Sequence, residues 1–234
     1  MPCRSKIRKT TNVIAIDGPA GSGKSTVAKK LAKRLGYLYL DTGAIYRALT
    51  LKAIKEQVAL DQKPALTSLA KNLDIQLRMN GDALKVTLDG KDISRKIRQQ
   101  AVTEKVRFVA KLKPVRAEMV KLQRRLAGEV NGAVLEGRDI GTVVFPRAKH
   151  KFYLDARVDE RIKRRFKELK QMGQRVKFED IAKDIKGRDR TDMTRAVGPL
   201  LRAKDAALID TTNLSITEVV EKLHRKCYTG SSAR

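Results

Sequence analysis

The first sustained apolar run, Val13-Ile14-Ala15-Ile16, is short and rich in β-branched residues, which predicts a buried strand. Over residues 26–35 the apolar positions Val27, Ala28, Leu31, Ala32 and Leu35 recur at helical spacing, and Gly36 ends the pattern. Residues 37–40 predict a second strand, and Asp41-Thr42-Gly43 caps a further helix over 44–55. Strand and helix alternate here as in a parallel sheet with helices on its faces.

The middle of the chain changes character. Runs at 74–79 and 83–88 alternate like strands on either side of Asn80-Gly81-Asp82, a hairpin signal, and Asp89-Gly90 marks a second turn. Together they predict a small antiparallel insertion. Helical periodicity returns over 99–111 and 114–126, with Pro114 suited to a first helical turn. Short apolar runs at 133–136, 151–154 and 207–210 resume the parallel pattern. Charged helical stretches at 157–171 and 178–190 separate the last two, and a closing helix over 217–226 begins behind Ser215. No repeat or low-complexity tract interrupts the series.

Between the first strand and the first helix lies Gly18-Pro19-Ala20-Gly21-Ser22-Gly23-Lys24-Ser25-Thr26, which fits G-x-x-x-x-G-K-[ST] at each fixed position and in the required strand-to-helix context. Glycines let the backbone turn tightly and approach a polyphosphate, so that several N–H groups and the positive end of the helix point at one anion. Lys24 is then placed to neutralise β and γ oxygens. The hydroxyl of Ser25, at the motif position, or of Thr26 is placed for Mg²⁺. The loop specifies a nucleoside triphosphate and leaves the reaction open.

Charge and composition narrow the classes. A formal charge of +26 attracts nucleic acids and polyphosphates alike. Part of it lies in the basic tail, at Arg4, Lys6, Arg8 and Lys9. More lies in residues 94–125, with eleven Lys/Arg against two acids, and in 157–204, with sixteen against eight. Such stretches also fit solvated helix faces. Aromatics at 4% of the chain leave little to stack on bases, so the charge implies no more than weak, non-specific nucleic-acid binding. Two cysteines, Cys3 and Cys227, and two histidines, His150 and His224, support neither a disulfide framework nor a zinc site. No apolar run approaches the roughly 18 residues of a membrane span, and Met1-Pro2-Cys3-Arg4 leads into charge, so a cytoplasmic protein is expected. The absence of N-K-x-D argues against a GTPase switch.

Three further segments bring arginines to strand ends or helix starts: Asp41 to Arg47, Glu136-Gly137-Arg138-Asp139-Ile140-Gly141-Thr142, and Arg188 to Arg195. Ligands of open α/β sheets bind outside the carboxyl ends of the strands, where the first two segments fall. Guanidinium groups bind phosphate as bidentate forks, and more of them than one triphosphate needs implies a second phosphate. Asp155, after an apolar strand, has the position of a Walker-B acid and is a further magnesium candidate.

With these segments the chain resembles the cytidylate kinases, a branch of the P-loop nucleoside monophosphate kinases. The resemblance runs over 13–223 and is carried by Asp41-Thr42-Gly43-Ala44-Ile45-Tyr46-Arg47, by Gly137 through Pro146, and by Arg188-Asp189 through Asp192, Arg195 and Pro199-Leu200. It implies an α/β P-loop NTPase-type parallel sheet flanked by helices, with an antiparallel monophosphate-binding insert and a helical lid. The expected parts are a basic tail (1–11), a core (12–58, 99–156 and 191–228), the insert (59–98), the lid (157–190) and a C-terminal tail (229–234). It also implies transfer of the ATP γ-phosphoryl group to CMP or dCMP with Mg²⁺, and a monomer is expected. Arg47 and Arg138 would hold the acceptor phosphate. Thr42, Arg188 and Asp192 would contact the sugar, and Arg116, Asp139 and Arg195 the base or its surroundings. Arg157, Arg161, Arg164 and Arg165 are the lid arginines, of which Arg161 and Arg165 would join Lys24 and Arg138 at the transferring phosphate. Other readings are a broader UMP/CMP-type kinase and an RNA-associated P-loop protein. The chain departs from the family pattern at Arg107, where a small hydroxyl residue is usual near the base, and mildly at Gly198 before Pro199.

Overall fold

The computed structural model describes residues 12–171 and 173–228. The basic tail and the C-terminal tail expected from the sequence, with Cys3, lie outside the described residues. The parallel pattern is realised in β1 (Val13–Asp17), α1 (Lys24–Leu35), β2 (Leu38–Asp41) and α2 (Thr42–Lys55), followed by α3 (Lys63–Lys71). The insertion holds β3 (Ile75–Asn80), β4 (Ala83–Leu88) and β5 (Lys91–Asp92). Next come α4 (Gln100–Ala110), α5 (Lys113–Gly128), β6 (Ala133–Gly137), β7 (His150–Asp155), α6 (Val158–Gln171), α7 (Phe178–Thr194), β8 (Ala207–Asp210) and α8 (Ile216–Tyr228). Five strands form one sheet in the order β2-β6-β1-β7-β8, and three form a second in the order β3-β4-β5.

The chain divides into two units, one built on Ala32–Leu135 and the other on Ile14–Leu31 with the chain from Glu136 onward. In the first unit Asn80 pairs with Ala83 across the two-residue turn that Gly81, at φ +58°, makes without strain. Its apolar positions alternate, so Ile75, Leu77, Leu84, Val86 and Leu88 are buried while their neighbours face out. Two features go beyond the expected elements. Helix α3 buries only Leu66 and Ala70, too sparse a stripe to announce itself, and β5 adds a two-residue charged edge after the Asp89-Gly90 turn.

In the second unit β1 pairs in parallel with β7, Ile14 opposite His150, and β7 pairs in parallel with β8, Phe152 opposite Ala207. Every residue of β1 is buried, which accounts for its unbroken apolar run. Helices α6 and α7 share a small core of their own from Ile162, Leu169, Ile181 and Ile185, against which Phe166 and Val176 pack. The rings of Phe166 and Phe178 meet edge to face at 5.5 Å. Helix α7 continues to Thr194, past the expected end at residue 190. No helix among the described residues is long and apolar enough to cross a membrane.

Candidate active site

In the second unit, backbone geometry explains the glycines of the loop. Gly18 has φ +151°, and a Cβ there would lie 2.0 Å from the Leu154 carbonyl oxygen. Gly21, at φ +77°, is packed by Arg161, whose carbonyl oxygen a Cβ would meet at 2.8 Å. Only glycine accepts both the torsion and the approach. The first turn of α1 begins as Val27 N–H donates to the Gly23 carbonyl at 3.0 Å.

Lys24 is buried at 5% exposure, its ammonium donating to the Pro19 carbonyl at 2.6 Å. Burial first, and then the positive charge of Arg138, lower its pKa to about 7. Glu136 and Asp192 oppose that shift. A polyanion in the loop would supply the counter-charge that burial withholds. Ser25 donates its hydroxyl to Glu136 at 2.6 Å, which brings two hard oxygen atoms together. That donor set suits Mg²⁺, which binds through one or two protein oxygens and completes its shell with water and phosphate. Asp155 instead accepts the N–H of Ala156 at 2.8 Å.

Arg138 leaves the end of β6 and donates through Nε to Asp192 at 2.7 Å. Burial opposes its charge, but Asp192, by charge and hydrogen bond, and Glu136 hold its pKa above the ordinary arginine value. Asp139 is buried and lies 3.8 Å from the Arg195 guanidinium, which also reaches Asp192 at 3.5 Å. A five-residue π-helical turn, Ile140–Val144, follows. Its first two N–H groups donate to the two oxygens of Asp17, Ile140 at 2.8 Å and Gly141 at 2.7 Å. Asp17 ends β1, so its carboxylate ties the segment carrying Arg138 to the strand that leads into the loop. Burial pushes the Asp17 pKa up to about 6, against those two hydrogen bonds.

The four arginines expected in the lid have separate environments. Arg161 is buried, donating to the Ala20 carbonyl of the loop at 3.1 Å and to Asp189 at 2.6 Å. Arg164 is occupied by Glu160 at 3.0 Å and by the carbonyls of Thr211 and Thr212, at 2.6 and 3.1 Å. Arg165 pairs with Glu168 at 2.7 Å along its own helix, and Arg157 lies 3.8 Å from Asp159. Arg188 is similarly engaged by Asp184, at 2.9 Å.

In the first unit Asp41 caps α2, accepting the Ala44 N–H at 2.8 Å, and its second oxygen takes Arg47 at 3.0 Å. Thr42 is buried in the first turn of the same helix. Arg47 folds back over Gly43, where a Cβ would lie 2.9 Å from its Nη1. Arg116 is buried, donates to the Ala110 carbonyl at 3.1 Å and lies 5.5 Å from the centre of the Tyr46 ring. Arg107 is exposed on α4, with its guanidinium 4.9 Å from the Phe108 ring centre.

No role for Asp17, Glu136 or Asp189 follows from the sequence motifs. The signals present were an acid closing an apolar strand before the loop, an acid closing another strand before Arg138, and an acid one helical turn before Asp192.

A glycine loop that closes over a buried lysine at the end of a parallel strand, with carboxylate-held arginines around it, defines a P-loop nucleotide-handling protein. The cytidylate kinase family model matches residues 14–229, and the chain belongs to that family. It is 49% identical over 211 residues to the cytidylate kinase of Caldanaerobacter subterraneus, covering 90% of this chain and 92% of that protein. It is 48% identical over 210 residues to the cytidylate kinase of Bacillus subtilis, covering 90% and 93%. Among solved structures, TT1252 from Thermus thermophilus shares the fold with a TM-score of 0.50 at 20% identity, over 97% of this chain and 100% of that one.

Proposed function

We propose that the chain transfers the γ-phosphoryl group of ATP to CMP or dCMP, giving ADP and CDP or dCDP. Membership of the cytidylate kinase family supports this reading. The structural observation that carries it is the grouping, within one unit, of buried Lys24, the Ser25–Glu136 pair and Arg138 in an α/β fold of P-loop type.

The acceptor needs no general base. A phosphate monoester has a second pKa near ~6, so its attacking oxygen is largely ionised at neutral pH. The remaining task is to align two polyanions and neutralise the transferring oxygens. Lys24 and the N–H groups of Gly21 to Ser25 hold the donor. Ser25 and Glu136 would hold Mg²⁺, which would screen the phosphate charge. Arg138 and Arg47 exchange their carboxylate partners, Asp192 and Asp41, for the acceptor phosphate. Thr42, Arg188 and Asp192 read the sugar, while Arg116, Asp139 and Arg195 read the base. Arg161 and Arg165 serve the transferring group from a lid at 157–190, the insert at 59–98 receives the monophosphate, and the remaining segments form the core. The protein works as a cytoplasmic monomer, and its charge gives weak, non-specific affinity for nucleic acid.

A coupled assay of ATP consumption across CMP, dCMP, UMP, AMP and GMP tests the proposal. CMP and dCMP are expected to be the preferred acceptors. Preference for a purine monophosphate, or no turnover with any pyrimidine monophosphate, would overturn it.

A further inference from the structure

Among the described residues, Asp189 is a buried carboxylate only half satisfied. Its Oδ2 accepts from Arg161 at 2.6 Å, whereas Oδ1 is buried and accepts no hydrogen bond. An acceptor left bare in the interior is costly, and such costs persist where something else requires the group. Arg161 supplies the reason. Its Nε is held by the Ala156 carbonyl at 2.9 Å and its Nη1 by the Ala20 carbonyl at 3.1 Å, so two dipoles orient the fork but provide no counter-charge. Gly21 lets the Arg161 backbone lie directly on the loop. Asp189 alone carries a charge within hydrogen-bonding reach of that guanidinium among the described residues.

Helix α7 places Asp189 and Asp192 three residues apart, on one face, and each holds a different arginine: Arg161 by the loop and Arg138 after β6. Asp192 already has a ligand-binding reading. Asp189 has none, and its hydrogen bond goes to Arg161, which in turn donates to the loop carbonyl of Ala20.

We propose that Asp189 is a positioning residue, fixing the Arg161 guanidinium against the loop backbone so that it meets the transferring phosphate in a single orientation. The proposal rests on the phosphoryl-transfer reading. Charge at Asp189 keeps the fork ionically balanced before nucleotide arrives. The geometry it imposes is used only when negative charge develops on the transferring oxygens, so its loss should appear in kcat more than in KM.

The test compares Asp189→Asn, which keeps shape and loses charge, with Asp189→Ala and with wild type. In Asp189→Asn, kcat is expected to fall by about 10²-fold, with KM for ATP and for CMP within about twofold, the pattern of a misplaced transition-state group. Formate, at concentrations where chloride does nothing, is expected to restore part of the kcat of Asp189→Ala. A purely structural carboxylate would not give that rescue. The ¹⁵Nε–Hε resonance of Arg161 provides a reading independent of turnover, sharp and slowly exchanging in wild type and broadened in Asp189→Asn. Unchanged kcat, or a loss that formate does not reverse while the Arg161 resonance stays sharp, would overturn the proposal. If wild type turned over no pyrimidine monophosphate, the functional reading would fall, while the resonance would still decide whether Asp189 sets Arg161.

Discussion

Gly18 has no side chain because β7 leaves no room for one. A Cβ there would sit 2.0 Å from the Leu154 carbonyl oxygen, at a backbone angle L side chains rarely adopt. Gly18→Ala is therefore expected to cost about 3 kcal/mol or more, read as a lower urea midpoint, through strain and overpacking together. Lys24→Met keeps the stem and removes the charge, and kcat should fall by about 10²–10³-fold in the coupled assay with little loss of folding stability. Asp17 gives a pH signature with a definite sign. Its folded pKa of about 6 exceeds its ordinary value of 3.8, so between those limits the folded state binds the extra proton. Stability from this group is greatest below 3.8 and is lost as pH rises to 6. Measured against Asp17→Asn, wild type should gain on the order of 3 kcal/mol as pH falls through that window, and a flat difference would contradict the assignment. Residues whose chemistry is local were legible in the sequence, the loop above all. Asp17 was not, because the N–H groups it binds lie 123 and 124 residues away.

Elements announced themselves where the signal was internal to them. Asp41 has the pattern of a cap and is one; Ser215 stands at the expected start of α8 and forms a reciprocal pair with Glu218, whose carboxylate accepts the Ser215 N–H at 2.8 Å. Asp41→Ala is expected to destabilise the fold by about 1 kcal/mol through the lost cap. It should also lower KM for the monophosphate, because Arg47 no longer has to leave a carboxylate to take the acceptor phosphate, which a substrate titration would detect. Beside α3 and β5, two further stretches escaped for physical reasons. The turn at Ile140–Val144 has no periodicity of its own, being held by the Asp17 side chain. The final turn of α7 lies past the expected end at residue 190, and its polar Asp192 pairs with Arg138. Polar residues with buried partners break the apolar pattern from which helices are read. The site was legible as a set of segments; which carboxylate holds which arginine was not, since those pairings depend on how α7 lies beside the loop.

At the scale of the whole molecule, a charge of +26 is a long-range attraction for polyanionic substrates. Raising ionic strength from about 0.01 to 0.15 M shortens the screening length from about 30 to 8 Å, and kcat/KM for CMP should fall several-fold with it, while kcat stays nearly constant. A salt-independent kcat/KM would show that capture depends on short-range contacts alone. Like charge at this level repels other copies of the chain, and the small sheet adds a local measure of the same kind. Its outer strand β5 is two residues long, Lys91 and Asp92, both exposed. A strand that short, ending in opposite charges, offers an approaching chain almost no ladder to extend and a polar surface to desolvate. The segment 91–92 thus works as a stop against edge-to-edge growth. Lengthened and made apolar, it would offer neighbouring copies a ladder to extend, and the solution should begin to scatter light.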